Sequence, residues 1–179
     1  MTFRKIAIPL ISVAALSLGF EEAISVCDGL NTGETFLDNT FAGGPMIAME
    51  YVASDDLTVS GLEVFTGEAA NINYLGLWSD NGGAPGQALG WTDGFQVSPQ
   101  KNWQGAELVA PVNVVAGQTY WVVWDPQGGE QTPFDESGEE ATYYGSGAGT
   151  VQGDASWDGP YSNYLKYRVL CGDDEGGCS

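Results

Sequence analysis

The chain has 179 residues, with five basic and 24 acidic side chains, a formal net charge of −19, 26 glycines, three cysteines and no histidine. The missing histidine excludes Ser-His-Asp and Cys-His nucleophile systems, imidazole acid–base chemistry and the usual His-containing zinc sites. The charge excludes nucleic acid and anionic membrane surfaces as partners, because both are bound chiefly through Lys and Arg.

In chain order, Arg4 and Lys5 precede an apolar run from Ile6 to Phe20, which reads as a secretory signal peptide over residues 1–20. The run is short for a membrane span, which takes roughly 20 residues. Val26 stands before Cys27 where a lipoprotein site needs a small residue, so lipidation is not expected. With the signal removed only Lys101, Lys166 and Arg168 remain basic. One domain is expected over residues 21–171, followed by a flexible acidic tail over 172–179.

Export permits disulfides. Cys27 opens the domain, Cys171 closes it and Cys178 lies in the tail. Leu165, Tyr167, Val169 and Cys171 share one strand face by two-residue alternation, which favours a bond from Cys27 to Cys171 tying the first strand to the last. A Cys171–Cys178 bond is the competing pairing.

Between the cysteines the hydrophobic period is two, with no helical stripe. Leu57 to Thr66 carries Leu57 and Val59 on one face and then Leu62 and Val64, a phase slip at Ser60 and Gly61 that predicts a β-bulge. Asn71 to Trp78 alternates Ile72, Tyr74 and Trp78 against Asn73, Leu75 and Leu77, and it runs into the turn-forming stretch Ser79 to Gly86. A further strand covers Gln87 to Trp91. Leu108, Ala110, Val112 and Val114 then share a face, Ala116 and Gly117 turn the chain, and Thr119 to Trp124 returns with both faces apolar. This predicts a hairpin with a central second strand, and Pro111 sets its first strand at an edge or a break. Pro126 to Gln152 reads as long surface loops around a short strand at Ala141 to Tyr144. Roughly nine or ten short strands with frequent turns predict an all-β fold, an antiparallel β-sandwich of jelly-roll-like form.

The segments GLEVFTGE from Gly61 to Glu68, LWSDN from Leu77 to Asn81 with Pro85 and Gly86, WQGA from Trp103 to Ala106, and Pro111-Val112 through AGQTYW from Ala116 to Trp121 are distinctive together. Over residues 45–171 the chain resembles a sandwich module of secreted and cell-surface bacterial proteins, of the "choice-of-anchor" type. The resemblance implies an extracellular β-sandwich and carries no catalytic residues with it. This chain departs from such proteins in having no recognisable C-terminal sorting signal.

Six tryptophans are many for this length. Sugar rings stack their C–H faces on indoles while Asp, Asn and Gln meet the hydroxyls, so Trp beside such residues in loops suits a glycan site. Trp78 with Asp80 and Asn81, Trp103 with Asn102 and Gln104, and Trp157 with Asp158 and Tyr161 have that form. Trp121 and Trp124 read as core, and Trp78 has a bland alternative as a strand-end cap. Calcium is the ion the turn carboxylates suit, with Asp154 and Asp158 the named ligands and Asp55-Asp56 and Asp80-Asn81 as further clusters, although none forms an EF-hand loop. Such residues also populate turns for their own backbone hydrogen bonds.

An enzyme of this composition has only carboxylates to work with. Glu63 alternates with Gly61 and Phe65 on a strand and has Glu68 nearby, but no second strand carboxylate is evident to face it. The expected function is therefore non-catalytic: an extracellular, lectin-like module recognising a glycan or surface polymer through Trp78, Trp103 and Trp157. The alternatives are a structural or adhesive envelope protein and a carboxylate-dependent glycosidase or lyase.

Overall fold

The computed structural model describes residues 25–30, 39–42, 45–67, 71–127, 131–135, 142–146, 151–153, 155–161 and 164–172. The expected signal peptide, Glu68, Asp154, Cys178 and all of the tail beyond Gly172 lie outside the described residues. In chain order the strands are β1 (Ser25–Leu30), β2 (Asn39–Ala42), β3 (Met46–Val52), β4 (Leu57–Thr66), β5 (Ile72–Asp80), β6 (Pro85–Trp91) and the two-residue β7 (Phe95–Gln96). They continue as β8 (Asn102–Val114), β9 (Thr119–Asp125), β10 (Gln131–Asp135), β11 (Thr142–Ser146), β12 (Ser156–Tyr161), β13 (Tyr164–Leu165) and β14 (Tyr167–Cys171). All the observed pairings are antiparallel, and the described residues contain no helix.

One sheet has the order β1-β14-β4-β8, and the facing sheet has β12-β11-β3-β9-β5-β6 with β7 added to β5. A small ladder β13-β10-β2 accompanies them. Eight strands form four nested antiparallel pairs: β1 with β14, β3 with β9, β4 with β8 and β5 with β6. Successive pairs alternate between the two sheets, as in a long folded ribbon wound into a sandwich, which is the jelly-roll arrangement. The all-β sandwich expected from the period-two pattern is thus the observed fold.

The main core lies between the sheets. Leu62, Val64 and Val169 from the four-stranded sheet meet Leu75, Leu77, Val122 and Trp124 from the other. A second cluster, with Met46, Ala48, Trp78, Trp121, Val123 and Val151, covers the outer face of the larger sheet. Strand β9 feeds both, since Val122 and Trp124 point inward while Trp121 and Val123 point outward. A strand with two apolar faces must be covered on both sides, and β9 accordingly sits mid-sheet between β3 and β5.

That placement corrects the expected hairpin. Strands β8 and β9 follow each other through a turn at 115–118, where Gly117 takes φ 73°, but they do not pair; β8 joins β4 in one sheet and β9 crosses to the other. Pro111 does mark a break: along β4 the partner jumps from Val112, opposite Val59, to Glu107, opposite Gly61, so 108–111 leaves the ladder and Leu108 bridges to Thr92 beyond β6. The predicted bulge at Ser60 is the other side of that jump. The stretch expected as loops from Pro126 to Gln152 holds β10 as well as β11, and the strand count exceeds the expected nine or ten.

Cys27 and Cys171 form a disulfide with Cα atoms 5.8 Å apart, closing β1 onto β14. Leu165, Tyr167 and Val169 are buried on one face, as their alternation predicts. Such a bond fits a protein of an oxidising, extracellular compartment.

Candidate functional site

The side chains expected to hold a ligand divide between opposite sides of the sandwich. Trp78 is 1% exposed, with its indole N–H donating to the Val151 carbonyl at 2.9 Å and its ring meeting Trp157 at 88°. It is a core residue and offers no face to a ligand, which corrects its expected role. Asp80 accepts the Trp121 indole N–H at 3.0 Å and the Gly83 amide at 3.1 Å, fastening the β5–β6 turn to the sheet. Burial pushes its carboxyl up, but the Trp121 hydrogen bond and the amides of Gly83, Gly82 and Asn81 outweigh this and hold it below the usual carboxylate value. Asn81 belongs to the same turn, its amide donating to the Ala84 carbonyl at 2.8 Å.

Trp157 lies on β12, half-buried against Trp78, with its ring over Gly145, where an added Cβ would come within 2.7 Å of the indole. On the other face of β12, Tyr161 packs near Tyr144 and donates its hydroxyl to Asp158 at 2.6 Å, a hydrogen bond that raises the tyrosine above its ordinary value. Gln104 is spent on the 98–101 turn, its amide group donating to the Thr66 carbonyl at 2.7 Å and to the Ser98 and Gln100 carbonyls at 3.2 Å. Of the calcium clusters, Asp56 accepts the Ala116 amide at 2.8 Å, the backbone role open to any turn aspartate. Among the described residues no three carboxylates or thiolates converge as a metal site.

Trp103 is on a strand, not in a loop, and it stands on the outer face of the four-stranded sheet. That face is fixed by register. Across the strands, Val26, Leu170, Gly61 and Glu107 form one row, and Arg168, Glu63 and Gly105 form the next. In a third row Trp103 faces Phe65, the rings meeting edge-on at 5.4 Å, and the Lys166 amine lies 5.8 Å from the Phe65 ring. Burial, then the charge of Arg168, hold that amine below its ordinary value.

Gly105 lies tight against the β4 backbone; a Cβ there would collide with the Leu62 carbonyl oxygen. Arg168 reaches across from β14 to Trp103 on β8. Its guanidinium carbon lies 3.9 Å from the Trp103 ring centroid, and one terminal nitrogen is 3.7 Å from Glu63. Beside this pair an open groove of about 720 Å³ runs over Gly105 and Ala106, walled by Leu170 and Val26 on one side and by Asp93 and Gly94 on the other. Glu63 and Glu107 both line it.

The groove gathers residues that sequence reasoning left apart. Glu63 and Trp103 were singled out; Asp93, Glu107 and Arg168 were not. The alternation of Trp103, Gly105 and Glu107 puts those three on one face, but only the β4–β8 register puts that face beside Glu63. Glu107 is the second strand carboxylate that the sequence did not reveal. Trp103 and Trp157 stand on the outer faces of different sheets and share no platform. No protein-family model matches the chain, and no curated protein matches it in sequence.

Proposed function

We propose that the protein is an exported, non-catalytic binding module that takes a glycan or a similar hydroxylated surface polymer in the groove over β4 and β8. The observation that carries this is the groove's construction. Gly94 and Gly105 bring backbone into its lining, the Glu63, Asp93 and Glu107 carboxylates and the Arg168 guanidinium stand where hydroxyls need acceptors and a donor, and Leu170 and Val26 supply an apolar wall for ring C–H groups. The disulfide and the signal-like leader support export. The high negative charge argues against nucleic acid and anionic membranes as partners.

A glycan array probed with the full chain and with the Asp93→Ala/Glu107→Ala double variant tests the reading. Loss of two charged acceptors is expected to weaken binding at least tenfold, since hydrogen bonds to charged groups contribute about 1.5–3 kcal/mol each. Trp157→Ala, on the opposite side of the sandwich, serves as the control and leaves binding unchanged. Absence of glycan binding, or equal loss in Trp157→Ala, refutes the site, and a structural or adhesive envelope protein is then the better description.

One observation favours a hydrolase as the second reading. Glu63 and Glu107 are diagonal neighbours on adjacent strands of one face, a placement that spaces backbones about 7–8 Å apart. Glycosidase carboxyl pairs stand about 5–10 Å apart. Release of reducing ends that is abolished by both Glu63→Gln and Glu107→Gln would establish it.

A further inference from the structure

The charges around the groove select among glycans. Three carboxylates line it, from Glu63, Asp93 and Glu107, against one cation, Arg168. That cation is already engaged, stacked on Trp103 and facing Glu63. An incoming carboxylate or sulfate meets two surplus negative charges and must compete with Glu63 for the guanidinium. An incoming ammonium meets Asp93 and Glu107, both exposed, while the lining's cation, Arg168, is turned to Trp103 and Glu63. The chain's net charge of −19 reinforces the same sign at longer range.

Resting on the glycan reading above, we infer that the groove takes a polymer of amino sugars with free, protonated amines, in preference to neutral, acetylated or acidic glycans. A basic peptide has the same charge but fits the surface less well. The groove lies over the face of the sheet, where the β4 and β8 backbones are hydrogen-bonded to each other, so an extended peptide lying in it adds no strand to that ladder. An apolar wall beside a row of acceptors instead suits a ring with a C–H face and a polar rim.

Calorimetric titration of the full chain with the β-1,4-linked glucosamine hexamer, its fully N-acetylated counterpart, a galacturonate hexamer and hexalysine separates the outcomes. The expected result is at least tenfold tighter binding of the free-amine hexamer than of the acetylated one at low salt. The gap should narrow to within about threefold at 0.5 M salt, where the screening length is only a few ångströms. Asp93→Asn/Glu107→Gln, two exposed substitutions, should abolish the amine preference, bringing the free-amine and acetylated hexamers to within about threefold of each other. Equal or tighter binding of the acetylated or galacturonate hexamer overturns the charge inference and leaves the glycan site standing. Hexalysine binding as tightly as the glucosamine hexamer overturns it in favour of simple polycation capture. No binding of any saccharide overturns the glycan reading as well.

Discussion

Removing the Cys27–Cys171 bond by the double substitution to serine tests how much of the fold's stability comes from closing the ribbon. The two cysteines are separated by 144 positions. In the chain-entropy relation, releasing a loop of that length returns about 5 kcal/mol of conformational freedom to the unfolded chain at room temperature. The native side loses little besides the bond, because β1 stays paired with β14 from Ser25 to Leu30. Native disulfides of this kind contribute about 2–5 kcal/mol when measured. With a urea dependence of about 2 kcal/mol/M, the unfolding midpoint should fall by about 1–2.5 M. Tryptophan fluorescence reports the transition directly, since Trp78, Trp121 and Trp124 are buried in the two clusters. Reduction of the native chain should move the midpoint by the same amount. A shift below about 0.5 M, small against that expected from loop entropy, or nonreducing peptide maps linking Cys171 to Cys178, would refute the reasoning.

Asp80 sets a pH dependence. Its carboxyl titrates below the usual range in the folded chain, so its contribution is complete above the unfolded value of about 3.9 and is lost as pH falls through the lower folded value. Acid titrations of stability should therefore flatten in that window for Asp80→Asn relative to the native chain, and unchanged slopes would refute the role. Trp124→Phe removes the indole donor 2.7 Å from the Asn73 side-chain oxygen in the core and should cost about 1–3 kcal/mol in urea denaturation. Gly105→Ala drives a Cβ into the Leu62 carbonyl oxygen and to within 2.7 Å of the Glu63 Cα, and it should destabilise by about 1–3 kcal/mol. A neutral Gly105→Ala would show that β4 and β8 can part there without penalty.

Period-two alternation with frequent turns determined the class of fold, because a strand buries every second residue wherever it sits in a sheet. The phase slip at Ser60 and the break at Pro111 were legible for the same reason: each disturbs a local rule. The two apolar faces of Thr119 to Trp124 determined that the strand is central. Its neighbours were decided only in the tertiary structure, since a short turn suggests a hairpin but equally permits a crossing between sheets. Tryptophan beside Asp or Asn is a chemical resemblance to a glycan site, but tertiary burial makes Trp78 core, and Asp80 ties the β5–β6 turn to Trp121. The groove was hidden for a different reason. Glu63, Asp93, Glu107 and Arg168 come from three strands and a connector, and no local pattern links them. The register of β4 against β8 and β14 brings Glu63, Glu107 and Arg168 to one face, and register follows from packing the whole core, a long-range property that no window of sequence contains.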